Sequence, residues 1–473
     1  MATMFMIAIE ATIVSTAMPQ IAGQLGSLHL YSWVFSAFLL TQTATTVVFG
    51  KLADLYGRKP VLLGGITIFV VGSVLCGFAW SMPVLIAFRL VQGVGAGAIQ
   101  PVGITVVGDL YSVEERGKIQ GYLASVWGVS SVLGPLAGGL IIAHLSWGWI
   151  FWINVPVGLV AAVGFVAFLH EDVRRERRRV DVAGAALFTT AIASLMVALT
   201  EAGTSSGGTA LAAACVCIVS VLLFVRQELR APDPMMAFGL WAKRSIATAN
   251  AATLLSGMAI IGLTAFLPMY VQGVLNQSAL VAGFALTMMV LGWPVGATVA
   301  ARNFSRFGLR LTLLFGAALL PTGALAFVVL NSGMSPVVAG AGSMVMGLGM
   351  GFLSTSAIVI IQDSVGWAER GSATASNIFS RNLGSTLGAT VLGGVLNFGL
   401  AHQGGGAVNF DQVRRLLDHP GTMAGGAAVR TALGQSLHLT FWAVFLLTVL
   451  TLLLATLVPS IALKPGTREI VVE

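Results

Sequence analysis

Apolar runs of about 18–25 residues recur along the whole chain, and they constrain the fold more than any other feature of the sequence. A helix needs about 20 apolar residues to cross the roughly 30 Å hydrocarbon core of a membrane. Only 9% of the 473 residues are charged, whereas a soluble domain carries about 25%. The sequence therefore predicts an all-α polytopic membrane protein.

The apolar runs are separated by charged or turn-rich breaks, and together they predict fourteen transmembrane helices. The helix ends are expected to be accurate to about 2–4 residues. The predicted helices lie near residues 2–22, 31–49, 61–80, 83–108, 119–143, 149–169, 182–201, 209–226, 245–273, 279–300, 311–330, 335–361, 372–399 and 437–458.

The basic residues give an independent check, because Lys and Arg accumulate in cytoplasmic loops. With fourteen helices and both termini in the cytoplasm, nearly all of the 25 basic residues fall on the cytoplasmic side. The exceptions are Arg89 and Arg381 inside helices, and Arg414, Arg415 and Arg430 in the long loop 400–436. The pattern predicts a multi-pass protein of the plasma (inner) membrane with cytoplasmic termini.

The run "RRERRR" at 174–179 is the strongest local concentration of charge. Such a run could contact nucleic acid or anionic lipid. Its position after the sixth helix favours a cytoplasmic loop that sets the orientation of the protein. We therefore expect membrane lipids, and no nucleic acid, among its partners.

Two pairs of similar segments indicate an internal repeat. "GKLADLYGRKPVLL" at 50–63 aligns with "ARNFSRFGLRLTLL" at 301–314, which places Gly57 on Gly308. "ERG" at 115–117 aligns with "ERG" at 369–371, at nearly the same separation. A duplicated six-helix unit with two helices inserted explains both the spacing and the helix count.

The repeat predicts three parts: an N-terminal six-helix bundle at 1–170, a basic loop with two linker helices at 171–244, and a C-terminal six-helix bundle at 245–473. Two such bundles around a central cavity are typical of secondary transporters. The sequence has no Gly-x4-Gly-Lys-Ser/Thr loop for ATP, which leaves an ion gradient as the energy source.

Other chemistry has little support in the sequence. Cys76, Cys215 and Cys217 form no CxxC pair, and no two of the six histidines are three or four residues apart. We therefore predict no metal site, no cofactor, no catalytic residues and no enzymatic activity.

Several motifs in order resemble the fourteen-helix drug:proton antiporter family of the major facilitator superfamily. "GKLADLYGRK" at 50–59 is similar to that superfamily's loop motif, "RLVQGVGAGAIQP" at 89–101 to its fourth-helix motif, and "GVSSVLGPLAGG" at 128–139 to its fifth-helix antiporter motif. "EATIVSTAMPQIA" at 10–22 and "WGWIFWINVPVG" at 147–158 resemble further signatures of the family. The resemblance implies a major facilitator fold of two six-helix bundles plus two linker helices.

The resemblance implies roles for two groups of residues. The 50–59 motif would form a conformational latch between the halves, although its charges could simply solvate a loop, and Ser305 replaces Asp54 in the second copy. The fifth-helix motif goes with export by antiport, although its proline could be only a packing kink. The latch residues are Gly50, Asp54, Gly57, Arg58 and Lys59, and the antiporter residues are Gly134, Pro135, Gly138 and Gly139.

Glu10 is the one carboxylate that lies clearly inside the predicted helices, and Arg89 and Arg381 are the intramembrane cations. The resemblance places Arg89 at an arginine associated with proton coupling, and we predict that Glu10 binds a proton or a substrate group. Either arginine could instead hydrogen-bond backbone carbonyls. Helix rise puts Arg89 and Glu10 at depths that differ by about 10 Å, so direct pairing is left open.

These observations predict a proton-coupled secondary active transporter that exports amphipathic drugs or related small molecules by alternating access, an activity tied to antibiotic resistance. An importer or facilitator of a metabolite on the same fold is the alternative, and a non-transporting receptor is a weaker one. Several large side chains are candidates to line the substrate cavity, because they suit contact with amphipathic molecules, but they could instead be packed in the core or face lipid. These cavity candidates are Trp33, Trp127, Phe266, Met269, Met289, Trp293 and Arg381.

Overall fold

The computed structural model describes residues 1–25, 30–169, 171, 181–201, 207–231, 238–403 and 426–459, and these residues are helical with short connections. The helices of the first half are α1 (Ala2–Leu25), α2 (Tyr31–Tyr56), α3 (Arg58–Gly77), α4 (Met82–Leu110), α5 (Val113–His144), α6 (Trp149–Trp152), α7 (Asn154–Phe168), α8 (Val182–Glu201) and α9 (Gly207–Glu228). Those of the second half are α10 (Phe238–Ala242), α11 (Arg244–Gly273), α12 (Ala279–Val329), α13 (Pro336–Asp363), α14 (Arg370–Gln403) and α15 (Gly426–Thr456).

Among the described residues, 12 helices are long and apolar enough to cross a membrane. The protein is therefore an all-α, multi-pass membrane protein, as the sequence predicts. α1 is not among these 12 helices, because its apolar stretch is only Ala2–Val14. α12 spans 51 residues but is interrupted at Gly308, so it occupies the place of two predicted helices. The count of fourteen is not confirmed and stays a prediction.

Gly57 and Gly308 make the same kind of sharp connection. Each has a positive φ, 96° at Gly57 and 75° at Gly308, in a region that L side chains rarely adopt. Their ψ values of 158° and 165° are also close. Two residues aligned by the sequence repeat thus share one backbone conformation, which supports the duplication.

The connection around Gly57 corrects one expectation. The sequence predicts a hairpin loop at 50–59, but α2 continues to Tyr56 and α3 begins at Arg58. A single glycine can reverse the chain here because its φ is unrestricted. The motif's residues are therefore held on helix ends.

The last helix is a second correction. α15 begins at Gly426, whereas the sequence predicts its start near residue 437, and Arg430 lies in this helix and not in a loop. Small and polar residues at its start lower the local hydropathy without disfavouring the helical backbone. Hydropathy marks the part of a helix suited to hydrocarbon, so it underestimates a helix that extends beyond the membrane.

The chain divides into two units. Unit 1 comprises Met1–Lys243 with Ile361–Phe379, and unit 2 comprises Arg244–Ile360 with Ser380–Glu473. The predicted bundle boundaries stay a prediction.

Within each unit, glycines allow helices to approach closely. In unit 1, Gly93 and Gly97 of α4 lie against the α2 backbone at Phe38 and Gln42. In unit 2, Gly347 and Gly351 of α13 lie against the α12 backbone at Met289 and Trp293, and small residues at such contacts are typical of packed membrane helices.

Candidate functional site

A buried ion pair joins α1 to α4 in unit 1. Arg89 Nη1 donates a hydrogen bond to Glu10 Oε1 over 2.6 Å, and the side chains are 2% and 0% exposed. The sequence left this pairing open, because helix rise alone ignores helix tilt and the length of an arginine side chain. Removing one partner of such a pair typically costs about 3–5 kcal/mol, since the other charge stays buried.

The second carboxylate oxygen of Glu10 also has a partner. Asn154, at the start of α7, donates its amide Nδ2 hydrogen to Glu10 Oε2, and its side chain is fully buried. Its Oδ1 atom makes no hydrogen bond among the described residues. Both oxygens of Glu10 thus face a donor, which is the arrangement that an ionised carboxylate requires.

Arg89 has partners besides Glu10. Its Nη1 lies 2.7 Å from Gln92 Oε1, its Nε donates to the Val34 carbonyl over 3.2 Å, and its guanidinium lies 4.3 Å from the centre of the Phe38 ring. Gln92 in turn donates to Ser73 Oγ over 2.7 Å. The cation is therefore held by neutral groups as well as by the carboxylate.

Sequence reasoning missed Asn154, Gln92 and Ser73. All three are polar residues inside apolar runs, and each is fully buried. Asn154 lies in the quoted "WINVPVG" segment and Gln92 in "RLVQG". A search for every amide inside a predicted membrane helix would have found both.

The antiporter motif contacts α1 close to Glu10. Thr12 Oγ1 donates to the Ser130 carbonyl of α5 over 3.0 Å, and Gly134 of α5 leaves no room for a side chain beside Thr12 and the Ile13 backbone. Gly138 is buried, whereas Gly139 is exposed. α5 stays helical through Pro135. The motif thus fixes the packing of α5 on the helix that carries Glu10.

Replacing Gly134 with valine is expected to separate α1 from α5 and to lower the free energy of unfolding by about 1–3 kcal/mol, the usual cost of overpacking a close contact. Gly139→Val is the matched control, since no atom lies within 4 Å of a Cβ built there. Thermal unfolding of the purified proteins measures the effect. Equal destabilisation of the two variants would show that this contact has no special role.

A second polar cluster lies where α2, α3, α4 and α14 meet in unit 1. Asp54 accepts hydrogen bonds from Gly371 N over 2.8 Å and from Ser372 N and Ser372 Oγ over 2.7 Å each. These groups belong to the first turn of α14, where backbone N–H groups are unsatisfied and the helix dipole favours an anion. Gly50 of α2 lies directly against Gly371 and Ala375.

Arg58 ties this cluster together. Its guanidinium lies 3.1 Å from Asp54 Oδ1 and 2.8 Å from Asp109 Oδ2, donates to the Trp367 carbonyl over 2.7 Å and lies 4.0 Å from the Trp367 ring centre. Arg370 reaches the other oxygen of Asp109 over 2.6 Å. The four charged side chains alternate in sign, so each is neutralised by a neighbour.

Glu171 completes the cluster at the start of α3. Its carboxylate accepts from Arg58 N over 2.8 Å and from Lys59 N over 2.9 Å, and so it caps this helix from a distant part of the sequence. Lys59 Nζ donates to the Val166 carbonyl. Sequence reasoning found Asp54, Arg58 and Lys59, but missed their partners, which are 50 or more residues away in the chain.

The predicted cavity residues have different surroundings within their own units, and their shared site stays a prediction. Phe266 and Met289 belong to the buried core of unit 2, and Met269 packs against that core. Trp33 and Trp293 are half-buried, and Trp127 is exposed. Two cavities of about 530 and 700 Å³ lie beside α15, lined by residues that include His438 and Trp442, and none of the predicted residues lines them.

The fold and the buried charges define a multi-pass helical membrane protein. Residues 1–389 match the Major Facilitator Superfamily, a family of membrane transporters. The chain belongs to this superfamily, and the resemblance found in its motifs is confirmed.

Curated relatives extend the match. The chain is 33% identical over 397 residues to the multidrug transporter protein MdtP of Bacillus subtilis (strain 168), covering 83% of this chain and 73% of that one. It is 34% identical over 397 residues to multidrug resistance protein 3 of the same organism, covering 82% and 77%. The superfamily and these relatives are transporters and not enzymes.

Solved structures show the same fold. The human organic anion transporter MFSD10 superposes with a TM-score of 0.66 at 16% identity, covering 95% of this chain and 97% of that one. The proton:xylose symporter XylE superposes with a TM-score of 0.61 at 12% identity, covering 97% and 94%.

Proposed function

We propose that the protein is a proton-coupled exporter of amphipathic drugs or related small molecules, which works by alternating access across the plasma membrane. The observation that carries the proposal is the fully buried Glu10–Arg89 pair, because a charged pair inside membrane helices is costly and marks a functional site. The relatives described as multidrug proteins support the substrate class.

Glu10 is the proposed proton site. When it binds a proton, its attraction to Arg89 is lost, yet Arg89 keeps Gln92 Oε1, the Val34 carbonyl and the Phe38 ring as partners. These neutral partners lower the cost of breaking the ion pair. Protonation and deprotonation of Glu10 are then both accessible during a transport cycle.

Asn154 is proposed to serve both protonation states of Glu10. Its amide nitrogen donates to the carboxylate, and its Oδ1 has no hydrogen bond among the described residues. Rotation of the amide would present Oδ1 to a protonated Glu10, which then donates its own hydrogen. Asn154 is thus a positioning residue that keeps the carboxyl group hydrogen-bonded throughout.

The Asp54 cluster is the proposed latch of the cycle. It joins α2, α3 and α4 to the start of α14 through charge-assisted hydrogen bonds, which are about twice as strong as neutral ones. Rocking of one bundle against the other requires contacts that form in one state and break in another. Arg58 pairs with Asp54, Gly50 lets α14 approach it, and Gly57 and Lys59 belong to the turn into α3. Both termini and this cluster are proposed to lie on the cytoplasmic side.

Export is proposed from the antiporter motif at Gly134, Pro135, Gly138 and Gly139, whose helix packs on the helix of Glu10. A single carboxylate such as Glu10 can serve the exchange of substrate for protons, because it releases its proton when substrate is bound. Small-molecule substrate and protons are therefore the proposed partners.

Purified protein in liposomes tests the proposal. With an imposed pH gradient, antiport predicts that ethidium or naphthalene-1-sulfonate accumulates in the acidic compartment, whichever way the protein is inserted. Proton symport predicts accumulation in the alkaline compartment, and a facilitator predicts none. Collapse of accumulation by nigericin confirms that protons drive it. Failure of both probes to accumulate on the acidic side would contradict the proposal.

A further inference from the structure

Arg381 differs from the buried arginines described above, because none of the carboxylates that the structure describes pairs with it. It lies in unit 2, whose described residues contain six arginines and neither Asp nor Glu. In the sequence of this unit, the acidic residues are Asp411, Asp418, Glu469 and Glu473, and all four lie outside the described residues. The described part of the unit thus carries an uncompensated positive charge.

The other arginines of unit 2 lie towards helix ends and several have neutral partners. Arg244 donates to the Leu457 carbonyl, Arg310 to the Thr456 carbonyl and Arg430 to Asn276 Oδ1. The guanidinium of Arg381 has no hydrogen bond or ion pair with any residue that the structure describes. Its side chain is only partly buried.

Arg381 also lies well inside its helix. It is eleven positions after Arg370, the first residue of the 34-residue helix α14, which corresponds to about 16 Å along the helix. The hydrocarbon core is about 30 Å thick, and a residue this far from both ends of a spanning helix lies within it. Substrate sites of secondary transporters lie near the midplane of the bilayer.

The backbone of Arg381 is closely packed, whereas its guanidinium has no hydrogen-bond partner among the described residues. Gly257 of α11 lies against the Arg381 carbonyl, and Ser385 Oγ donates to that carbonyl over 3.1 Å. One turn further, Gly384 lies against the Leu254 carbonyl of α11. Close packing against α11 fixes the backbone from which the guanidinium extends, and a binding site benefits from such a rigid support.

We infer that Arg381 is a recognition site for the anionic group of amphipathic organic anions, such as aromatic carboxylates and sulfonates. An intramembrane arginine without a counter-ion is costly, and a bound anion offsets that cost. The planar guanidinium donates two parallel hydrogen bonds to a carboxylate or a similar oxyanion. This inference rests on the proposed transport function and names the substrate class for which that function has a specific site.

Two isosteric probes test the inference. Naphthalene-1-sulfonate carries a permanent negative charge, and naphthalene-1-sulfonamide is neutral with nearly the same shape. Calorimetric titration of the purified protein is expected to show at least about tenfold tighter binding of the sulfonate. Arg381→Gln is expected to remove that preference, and Arg381→Lys to retain part of it. Arg306→Gln, which removes an exposed arginine of the same unit, is the matched control and should keep it.

The preference is a ratio measured on one preparation, so a partial loss of folded protein does not alter it. Equal binding of the two probes by the wild type, or an unchanged preference in Arg381→Gln, would overturn the inference. Accumulation of ethidium on the acidic side reports separately on the proposed exporter. If ethidium accumulates while the sulfonate preference is absent, only the Arg381 site is wrong.

Discussion

Glu10→Gln is expected to reduce pH-gradient-driven accumulation of ethidium in proteoliposomes at least hundredfold. Glutamine keeps an oxygen that accepts a hydrogen bond from Arg89, but it neither binds a proton nor carries a charge. The variant therefore keeps the shape of the site and loses the exchange of protons. Initial rates with and without the gradient, measured on equal amounts of reconstituted protein, give the effect.

Two variants control this experiment. Glu10→Asp keeps a carboxylate that is about one methylene shorter, and it is expected to retain part of the coupled transport. Glu369→Gln removes the carboxylate of an exposed pair with Lys243, and it should leave transport unchanged, since exposed pairs contribute at most about 1 kcal/mol. Full gradient-driven accumulation by Glu10→Gln would remove Glu10 from the mechanism.

Asp54→Asn is expected to reduce transport at least tenfold while leaving the binding of ethidium within about twofold of the wild type. Asparagine loses the charge that pairs with Arg58 and that accepts three hydrogen bonds from Gly371 and Ser372. Hydrogen bonds to charged groups contribute about 1.5–3 kcal/mol each, enough to shift a two-state equilibrium more than tenfold. Transport rates and calorimetric affinities separate the two effects.

Ser305→Ala is the matched control for Asp54, because Ser305 occupies the equivalent position of the second repeat and is exposed. It is expected to transport at the wild-type rate. A latch that depends on Asp54 alone would be asymmetric between the repeats. Wild-type transport by Asp54→Asn, or an equal loss in Ser305→Ala, would contradict the latch.

Much of the fold follows from hydropathy and the repeat. Apolar runs identify membrane helices because the bilayer sets their length, and the repeat aligned Gly57 with Gly308 before either conformation was known. The start of α15 and the continuation of α2 to Tyr56 were missed, because helices extend past the hydrocarbon that hydropathy detects. Local pattern therefore identifies helices better than it identifies their ends.

The sequence predicts the charged residues of the polar sites but not the residues with which they pair. Glu10, Arg89, Asp54 and Arg58 are conspicuous as charges within or beside apolar runs. Their partners, such as Asn154 and Asp109, come from distant parts of the chain, and tertiary packing alone brings them together. The cavity residues are hard to predict for a different reason. An aromatic or methionine side chain suits a core as well as a ligand site, and Phe266 and Met289 lie in the core of unit 2.

In the proposed cycle, bound substrate and a proton on Glu10 oppose each other. Adding ethidium to detergent-solubilised protein in weakly buffered solution, with a pH indicator, measures this linkage directly. We expect release of protons from the wild type, no release from Glu10→Gln, and binding of ethidium by both. Equal proton release from the two proteins, or binding by the wild type without any release, would contradict it.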